Sequence, residues 1–324
     1  MPDLVRSPIN RRVVAVSVII PARDAAATIG RTLAALGDQD LAGEFEVIIV
    51  DDGSKDATAE IAGRAPDVSV VTQAPAGPGP ARNRGVEAAS GDVIAFTDAD
   101  CFPAPDWLRE GLTALAGADL VQGRVIPDPT ARLGPFDRTV HVDAEHGLYE
   151  TANLFVRRPL FEALGGFEDW LAARLGKPLA EDLWLGWRAR RAGARTAFAG
   201  HAVVHHAVFP RTPFGYAAER ARLVYFPAIA ARMPELRERF FWRRWFLNSR
   251  SAAFDVAAVA LVAAVRTRSP LPLAAALPYA RLVAARSRPW GRRAPLVVAG
   301  DVAADTVGLA ALIAGSIRHR SPLV

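Results

Sequence analysis

The chain has 324 residues, of which 51% are hydrophobic and 23% are charged. This composition is typical of a globular protein and excludes long disordered tracts and collagen-like repeats. A single cysteine, Cys101, excludes an internal disulfide framework and a zinc site built from several cysteines. Because residues 13–20 resemble a buried strand more than a cleavable apolar segment, we expect no signal peptide and a cytoplasmic location.

The net charge of +5 combines two unlike parts of the chain. Residues 1–231 carry a net charge of −5, and residues 232–324 carry +10. A nucleic-acid-binding protein usually carries its positive charge on the working domain. Here the charge lies on a region rich in alanine, valine and leucine, so we predict a membrane-surface partner and no nucleic acid.

Strand-like and helix-like segments alternate through the first hundred residues. Apolar, largely β-branched runs predict buried strands at 13–20, 45–50, 68–72 and 93–97. Helical spacing follows the first three of them, at 25–36 (with Asp24 as the expected N-cap), 57–64 and 81–89. This alternation predicts an α/β fold with a doubly wound, mostly parallel sheet.

The rest of the chain is less regular. Strands are predicted at 120–126 and 155–157, and a helix at 182–191. From about residue 233 the pattern is helical, with apolar stretches at 251–265, 271–285 and 294–317. We therefore expect a catalytic domain over 1–231 and a basic, apolar helical region over 232–324.

Two acidic clusters, Asp51-Asp52 and Asp98-Ala99-Asp100, follow predicted strands. Ligands of such sheets bind beyond the carboxyl ends of the strands, where both clusters fall. Asp98 and Asp100 are one residue apart and point to the same side of a strand end. Ionised carboxylates need a partner when buried, and this pair suits a hard divalent cation with phosphate oxygens. A solvated turn that caps a helix is the alternative for this pattern taken alone.

A series of motifs surrounds these clusters in a fixed order. They are Ser17-Val-Ile-Ile-Pro21, Val47-Ile-Ile-Val-Asp-Asp-Gly-Ser54, Gly79-Pro-Ala-Arg-Asn-Arg-Gly85, Gly91-Asp-Val-Ile-Ala-Phe-Thr-Asp-Ala-Asp100, Glu150-Thr-Ala-Asn153, Gly165-Gly-Phe167 and Glu181-Asp-Leu-Trp-Leu-Gly-Trp-Arg188. Over residues 14–206 the chain resembles the family 2 glycosyltransferases of the GT-A fold. The resemblance implies transfer of a sugar from a nucleotide-diphospho-sugar donor.

The resemblance also implies roles for residues on the donor side. It implies that Pro21 and Arg23 contact the nucleobase and that Asp52 binds the base or ribose. Arg82 and Asn83 would bind the diphosphate, and Asp98 would contact the ribose or the donor sugar. Asp100 is the implied ligand of Mn²⁺ or Mg²⁺, and His205, or its neighbour His206, is a candidate further ligand. Each type of residue has a structural alternative: a turn for Asp52, an exposed position for Arg82, and packing for the histidines and Cys101.

On the acceptor side the resemblance implies that Asp182 is the general base of an inverting reaction. Such a base removes the proton of the acceptor hydroxyl as its oxygen attacks the sugar. Nearby Trp184 and Trp187 would raise the pKa of Asp182 toward the working pH. Asn153 and Glu181 are implied on the acceptor or sugar side. The structural alternative is that the acids at 181 and 182 only complement a helix dipole.

The C-terminal region determines the expected location. Its apolar stretches are interrupted by Asp255, Asp301 and Asp305, and a charge in the middle of a span is costly. We therefore predict a peripheral or partly inserted region on the cytoplasmic face of the membrane, with Trp242 and Trp245 as interfacial anchors. A membrane-entering hairpin and a soluble cytoplasmic protein are the alternatives.

The sequence thus favours an inverting, metal-dependent glycosyltransferase with a hydroxyl acceptor, such as a lipid-linked or cell-envelope glycan. One alternative is a non-catalytic GT-A scaffold, and another is a nucleotidyltransferase. The nucleotidyltransferase is disfavoured because 21–24 is not a glycine-rich phosphate loop. A dinucleotide dehydrogenase is disfavoured because no Gly-x-Gly-x-x-Gly follows the first strand.

Overall fold

A computed structural model describes residues 14–41, 44–171 and 179–324 of the chain; residue 13, where the first predicted strand begins, lies outside them. The strands within these ranges are β1 (Val14–Ala22), β2 (Glu44–Asp51), β3 (Val68–Thr72), β4 (Val93–Phe96), β5 (Cys101–Pro103), β6 (Leu120–Pro127), β7 (Leu154–Arg157) and β8 (Thr196–His206). The α-helices are α1 (Ile29–Gly37), α2 (Thr58–Gly63), α3 (Pro78–Ala88), α4 (Trp107–Leu115), α5 (Arg158–Ala163), α6 (Glu181–Arg191), α7 (Pro213–Glu219), α8 (Phe226–Arg232), α9 (Leu236–Arg239), α10 (Ser249–Thr267), α11 (Leu277–Ser287) and α12 (Ala294–His319).

The strands form one sheet with the order β3-β2-β1-β4-β7-β6-β8-β5. Strand β1 is parallel to β2 and β4, and β2 is parallel to β3. Strand β7 is antiparallel to β4 and to β6. The α/β fold is confirmed, and so is the parallel arrangement of the first four strands, whereas the sheet as a whole is mixed.

The first predicted helix starts later than expected. Helix α1 begins at Ile29, after Thr28, and the residues before it form turns. Asp24 has a left-handed backbone (φ 51°), and its Oδ1 accepts a hydrogen bond from the backbone N–H of Lys55 at 2.8 Å. Asp24 therefore ties two loops together instead of capping the helix.

The chain forms two compact units. Unit 1 comprises 1–125, 150–166 and 192–205, and unit 2 comprises 126–149, 167–191 and 206–324. Unit 2 thus joins the C-terminal helices to segments from the middle of the chain. The assignment of catalysis to 1–231 and of membrane association to 232–324 stays a prediction.

The core of unit 1 fixes the position of helix α3 on the sheet. Val16, Val18 and Ile20 are fully buried in β1, as its β-branched sequence predicts. Helix α3 packs closely on this strand through Gly85, where an added Cβ would lie 2.4 Å from the side chain of Ile19. This close approach holds the C-terminal half of α3 against the sheet.

In unit 2, the acids of α12 face inward. Asp301 is fully buried and pairs with Arg286 and, at 3.4 Å, with Arg250. Asp305 accepts hydrogen bonds from Arg250 at 2.7 Å and from the hydroxyl of Tyr279 at 2.8 Å. The charges that interrupt the apolar pattern of this helix are therefore paired inside unit 2.

Candidate functional site

The carboxyl ends of β1, β2 and β4 lie at one edge of the sheet because these strands are parallel. Pro21 is the second-to-last residue of β1 and is half-buried, whereas Arg23, just beyond the end of the strand, is exposed. Asp52 follows β2, and Asp98 and Asp100 follow β4. The structure therefore brings the acidic clusters to the same edge, within unit 1.

Asp52 is buried and organises the loop that leads to α3. Its Oδ1 accepts hydrogen bonds from the side chain of Gln73 (2.8 Å) and the N–H of Ala76 (2.7 Å), and its Oδ2 accepts one from the N–H of Gly77 (2.9 Å). Two carboxylate oxygens offer about four acceptor positions. A further hydrogen bond to a nucleotide is compatible with these contacts, and it stays a prediction.

Arg82 and Asp98 form an ion pair at the sheet edge. The Nη2 atom of Arg82 lies 2.8 Å from Oδ1 of Asp98, and the two side chains are 5% and 29% exposed. Arg82, far from being a surface arginine, is thus a buried cation next to the open end of β4. A buried guanidinium beside a partly exposed carboxylate suits a diphosphate with a coordinated cation.

Asn83 is half-buried, and a glycine packs directly over it. Gly166 has a φ of 71°, and an added Cβ there would lie 2.6 Å from Oδ1 of Asn83. Only glycine combines this left-handed backbone with so close an approach. This gives a physical reason for the Gly165-Gly166 pair, whose part in the site the sequence did not predict.

Asp100 is half-buried between β4 and β5, next to the buried Cys101. Burial raises the pKa of the Cys101 thiol well above its ordinary value, and the negative charges of Asp98 and Asp100 raise it further. The raised pKa favours the protonated form of this thiol at neutral pH. The adjacent carboxylates supply the oxygen ligands that a hard divalent cation prefers.

The two histidines at the end of β8 differ in burial. His205 is half-buried and His206 is buried, because successive side chains of a strand point to opposite faces. Strand β8 adjoins β5, which begins directly after Asp100, and the N–H of Ala104 donates to the carbonyl of Val203 at 3.0 Å. The contact joins β8, two residues before His205, to the segment that follows β5. Within unit 2, Nδ1 of His206 lies 2.6 Å from the carbonyl oxygen of Ala207.

Asn153 is fully buried, and its side chain joins three elements of unit 1. Its Oδ1 accepts a hydrogen bond from Nε1 of Trp107 at 2.8 Å. Its Nδ2 donates to the carbonyl oxygens of Arg124 (2.9 Å) and Ala202 (2.8 Å). These bonds give Asn153 a structural role, and its contact with a substrate stays a prediction.

Glu181 and Asp182 open helix α6 in unit 2. Glu181 is buried and Asp182 is half-buried, and Oδ1 of Asp182 accepts a hydrogen bond from the N–H of Leu183 at 2.7 Å. The tryptophans of this helix anchor it: Nε1 of Trp184 donates to Glu168, and Nε1 of Trp187 donates to the carbonyl of Gly147. Asp182 therefore sits at the start of a firmly packed helix, as expected of a positioned carboxylate.

The sequence is similar to those of known glycosyltransferases. Residues 17–158 match the sequence profile described as glycosyl transferase family 2. The chain is 32% identical over 216 residues to the glycosyltransferase AglE of Haloferax volcanii, covering 62% of this chain and 68% of AglE. It is 29% identical over 213 residues to a pre-mycofactocin glycosyltransferase of Mycobacterium tuberculosis, covering 59% of this chain and 42% of that relative.

Solved structures show the same fold at low sequence identity. A mannosyltransferase from Pyrobaculum calidifontis, PcManGT, solved in complex with GDP-Man and Mn²⁺, superposes with a TM-score of 0.58 and 22% identity. This match covers 96% of the present chain and 88% of PcManGT. S. aureus TarS in complex with UDP-GlcNAc gives a TM-score of 0.52 and 18% identity over 95% of this chain and 93% of the TarS chain.

Proposed function

Because this chain belongs to glycosyltransferase family 2, we propose that it transfers a sugar from a nucleotide-diphospho-sugar to a hydroxyl acceptor in an inverting, metal-dependent reaction. That it is a glycosyltransferase follows from its family, and the alternatives of a non-catalytic scaffold and a nucleotidyltransferase lose their support. The single observation that carries the proposal is the buried Arg82 paired with Asp98 at the carboxyl edge of the sheet.

The donor is proposed to bind along this edge of unit 1. Pro21 and Arg23 would contact the nucleobase, and Asp52 would accept a hydrogen bond from the base or ribose. Arg82 and Asn83 would hold the diphosphate near the first turns of α3, where backbone N–H groups favour negative charge. Asp98 would bind the ribose or the donor sugar.

A divalent cation, Mn²⁺ or Mg²⁺, is proposed to bind at Asp100. The Asp100 carboxylate and an imidazole from the end of β8, from His205 or His206, would supply ligand types that fit such an ion. PcManGT, whose fold this chain shares, was solved with Mn²⁺. When bound, the cation would neutralise the charge that grows on the departing nucleoside diphosphate.

Asp182 is proposed as the general base. Its carboxylate is half-buried at the start of α6, where the N–H of Leu183 donates to Oδ1, and it would take the proton of the acceptor hydroxyl. Glu181 next to it is buried, and its charge acts on Arg222. Glu181 is therefore proposed to shape the acceptor side without exchanging the proton.

The first experiment is a thermal-shift screen of nucleotide sugars with and without Mn²⁺ or Mg²⁺. A stabilisation that needs both one donor and the metal would support the proposal. With that donor, Asp182→Asn should lower the turnover number by about 10²–10⁴-fold while the donor dissociation constant stays unchanged. Asp169→Asn, at an exposed aspartate of the same unit, is the matched control. Unchanged turnover in Asp182→Asn would refute the assignment of the base.

The acceptor is proposed to be lipid-linked or part of the cell envelope, with the protein on the cytoplasmic face of the membrane. The helical run Leu271–His319 is long and apolar enough to cross a membrane by length and composition, and one third of its apolar window is buried. Exposed apolar side chains also line α10 and the following turn, with Val259 and Val265 at 70% and Leu271 at 82%. Trp242 and Trp245 are exposed as well. Since the acids of α12 are paired inside unit 2, a peripheral or partly inserted region fits better than a span.

Sedimentation with membranes tests this location. We expect the full-length protein to sediment with vesicles, and the double variant Val259→Ser/Val265→Ser to bind them less tightly. Leu133→Ser, at an exposed leucine outside the C-terminal region, should leave binding unchanged. Complete recovery of intact wild-type protein in the low-salt soluble fraction would contradict the proposed location.

A further inference from the structure

Unit 2 contains a cavity of about 360 Å³ whose walls are rich in arginine. Cavities of roughly 300–1,000 Å³ are typical of small-molecule sites. The cavity is lined by Arg138, Arg211, Arg220 and Arg222, together with Tyr216 and Leu179. These arginines are spread over 85 positions of the sequence, so only the fold brings them together.

The cavity has an excess of positive charge. All four arginines are half-buried, and the carboxylates in its wall belong to Asp137 and Glu219. Glu219 pairs with Arg211, and Oδ2 of Asp137 accepts a hydrogen bond from the N–H of Gly134 at 2.8 Å. Four guanidinium groups therefore stand against these two carboxylates and the charge of Glu181, which acts on Arg222, so positive charge remains in excess.

Aromatic rings hold two of these cations in place. The guanidinium of Arg138 lies 5.3 Å from the ring centre of Phe209, and that of Arg220 lies 5.6 Å from the ring centre of Tyr216. Within the described part of the chain, neither arginine has a carboxylate at ion-pairing distance. Stacking fixes the plane of a guanidinium while leaving its N–H donors at the rim available.

The arginines also repel one another. Burial lowers the pKa of Arg222, and the positive charge of Arg138 lowers it further. The pKa of Arg211 is lowered by the same two causes in the same order. An anion in the cavity would offset both the loss of hydration of these arginines and their mutual repulsion. The wall therefore favours the binding of an anion.

The cavity lies near the start of α6. Leu179, in its wall, precedes Glu181 by two residues, and the negative charge of Glu181 acts on Arg222. The proposed base, Asp182, is the next residue of this helix. A molecule anchored in the cavity would therefore have a neighbouring part close to that carboxylate.

We propose that this arginine-lined cavity binds a phosphate group carried by the sugar acceptor and so presents the acceptor hydroxyl to Asp182. Planar guanidinium forks match the oxygens of a phosphate, and the excess charge of the wall matches its negative charge. The volume leaves room for more than the phosphate itself. The inference rests on the proposed transfer to a hydroxyl acceptor, whose chemical class it narrows.

The test compares two double variants of the full-length protein with equal changes in charge. Arg138→Gln/Arg220→Gln alters the cavity, and Arg64→Gln/Arg132→Gln removes two exposed arginines that do not line it. Titration calorimetry measures the affinity of each protein for inorganic phosphate. A second arm measures binding to vesicles of phosphatidylcholine mixed with an equal part of phosphatidylglycerol, and a third measures UDP and GDP with Mn²⁺.

We expect the phosphate dissociation constant to rise at least about tenfold in the cavity variant, since two charge-assisted hydrogen bonds are lost. The control variant should bind phosphate as the wild type does. Because the substitutions relieve repulsion, the melting temperature of the cavity variant should not fall. If it does, the single variants Arg138→Lys and Arg220→Lys, which keep the charge and lose the planar fork, must still weaken phosphate binding.

Equal phosphate affinity in the cavity and control variants would overturn the proposal. So would a loss of vesicle binding with no loss of phosphate binding, because the cavity would then serve a membrane lipid headgroup. The binding of UDP and GDP with Mn²⁺ tests the proposed sugar transfer independently of the cavity. Failure of the wild type to bind any nucleotide would count against the donor site, whereas the phosphate result would still judge the cavity.

Discussion

The buried amide of Asn153 gives the most direct test of how unit 1 is held together. The substitution Asn153→Ala removes three side-chain hydrogen bonds, one from Trp107 and two to backbone carbonyls. The indole N–H and both carbonyls would then lie in the core without these partners. A buried group that loses its partner costs about 1–3 kcal/mol. We expect the free energy of unfolding to fall by about 3–5 kcal/mol, near the upper range for one substitution.

Urea denaturation followed by tryptophan fluorescence measures this loss. The matched control is Asn248→Ala, where the same chemical change removes an exposed N-cap hydrogen bond to the N–H of Ser251. The control should lose only about 1 kcal/mol. If Asn153→Ala costs no more than Asn248→Ala, the hydrogen bonds of the buried amide do not stabilise unit 1 as described. A contact with the acceptor or the donor sugar would then be the better explanation for this residue.

Two further predictions concern a half-buried acid and a close helix contact. Burial, followed by the charge of Asp305, raises the pKa of Asp255 to about 6 from 3.8. The free energy of unfolding should therefore decrease as the pH rises from about 4 to about 6. Asp255→Asn should remove this trend and add about 1–2 kcal/mol at neutral pH, allowing for solvent screening. If the melting curves of Asp255→Asn match those of the wild type across this pH range, the burial of Asp255 does not cost stability as described. An alanine at Gly111 would place its Cβ 2.1 Å from the ring of Phe155, so Gly111→Ala should destabilise by about 1–3 kcal/mol. Gly63→Ala, in open space on α2, should stabilise by up to about 1 kcal/mol, and equal urea midpoints for the two alanine variants would contradict the packing.

The sequence was most informative where one physical pattern dominates. Fully buried parallel strands need continuous apolar runs, so β1 to β4 were predicted within a few residues of their ends. Acids that follow such strands must meet at one edge, and this placed Asp52 and Asp98 together. The start of α1 was predicted four residues too early, because Asp24 uses its carboxylate to join a neighbouring loop. An N-cap motif cannot be told from such a loop contact by local sequence.

The parts that the sequence did not predict depend on contacts between distant residues. The pairing of Arg82 with Asp98 depends on how α3 is rotated on the sheet, which Gly85 sets through its contact with Ile19. The arginine-lined cavity could not be predicted from the sequence either. Arginine supplies nearly all of the basic residues, so a functional cluster has no distinctive composition. Only proximity to aromatic rings and to the start of α6 distinguishes it.

The division of unit 1 into three separate stretches of the chain has a consequence for biosynthesis. The stretch 17–158, which the family profile matches, lacks β8, which begins at Thr196. Until that strand has left the ribosome, the amide of Asn153 lacks the carbonyl of Ala202, and β6 lacks one neighbour. Pairings over such long sequence separations close slowly. The nascent sheet therefore presents an open edge while about 40 further residues are translated, and a chaperone that covers this edge would act at that stage.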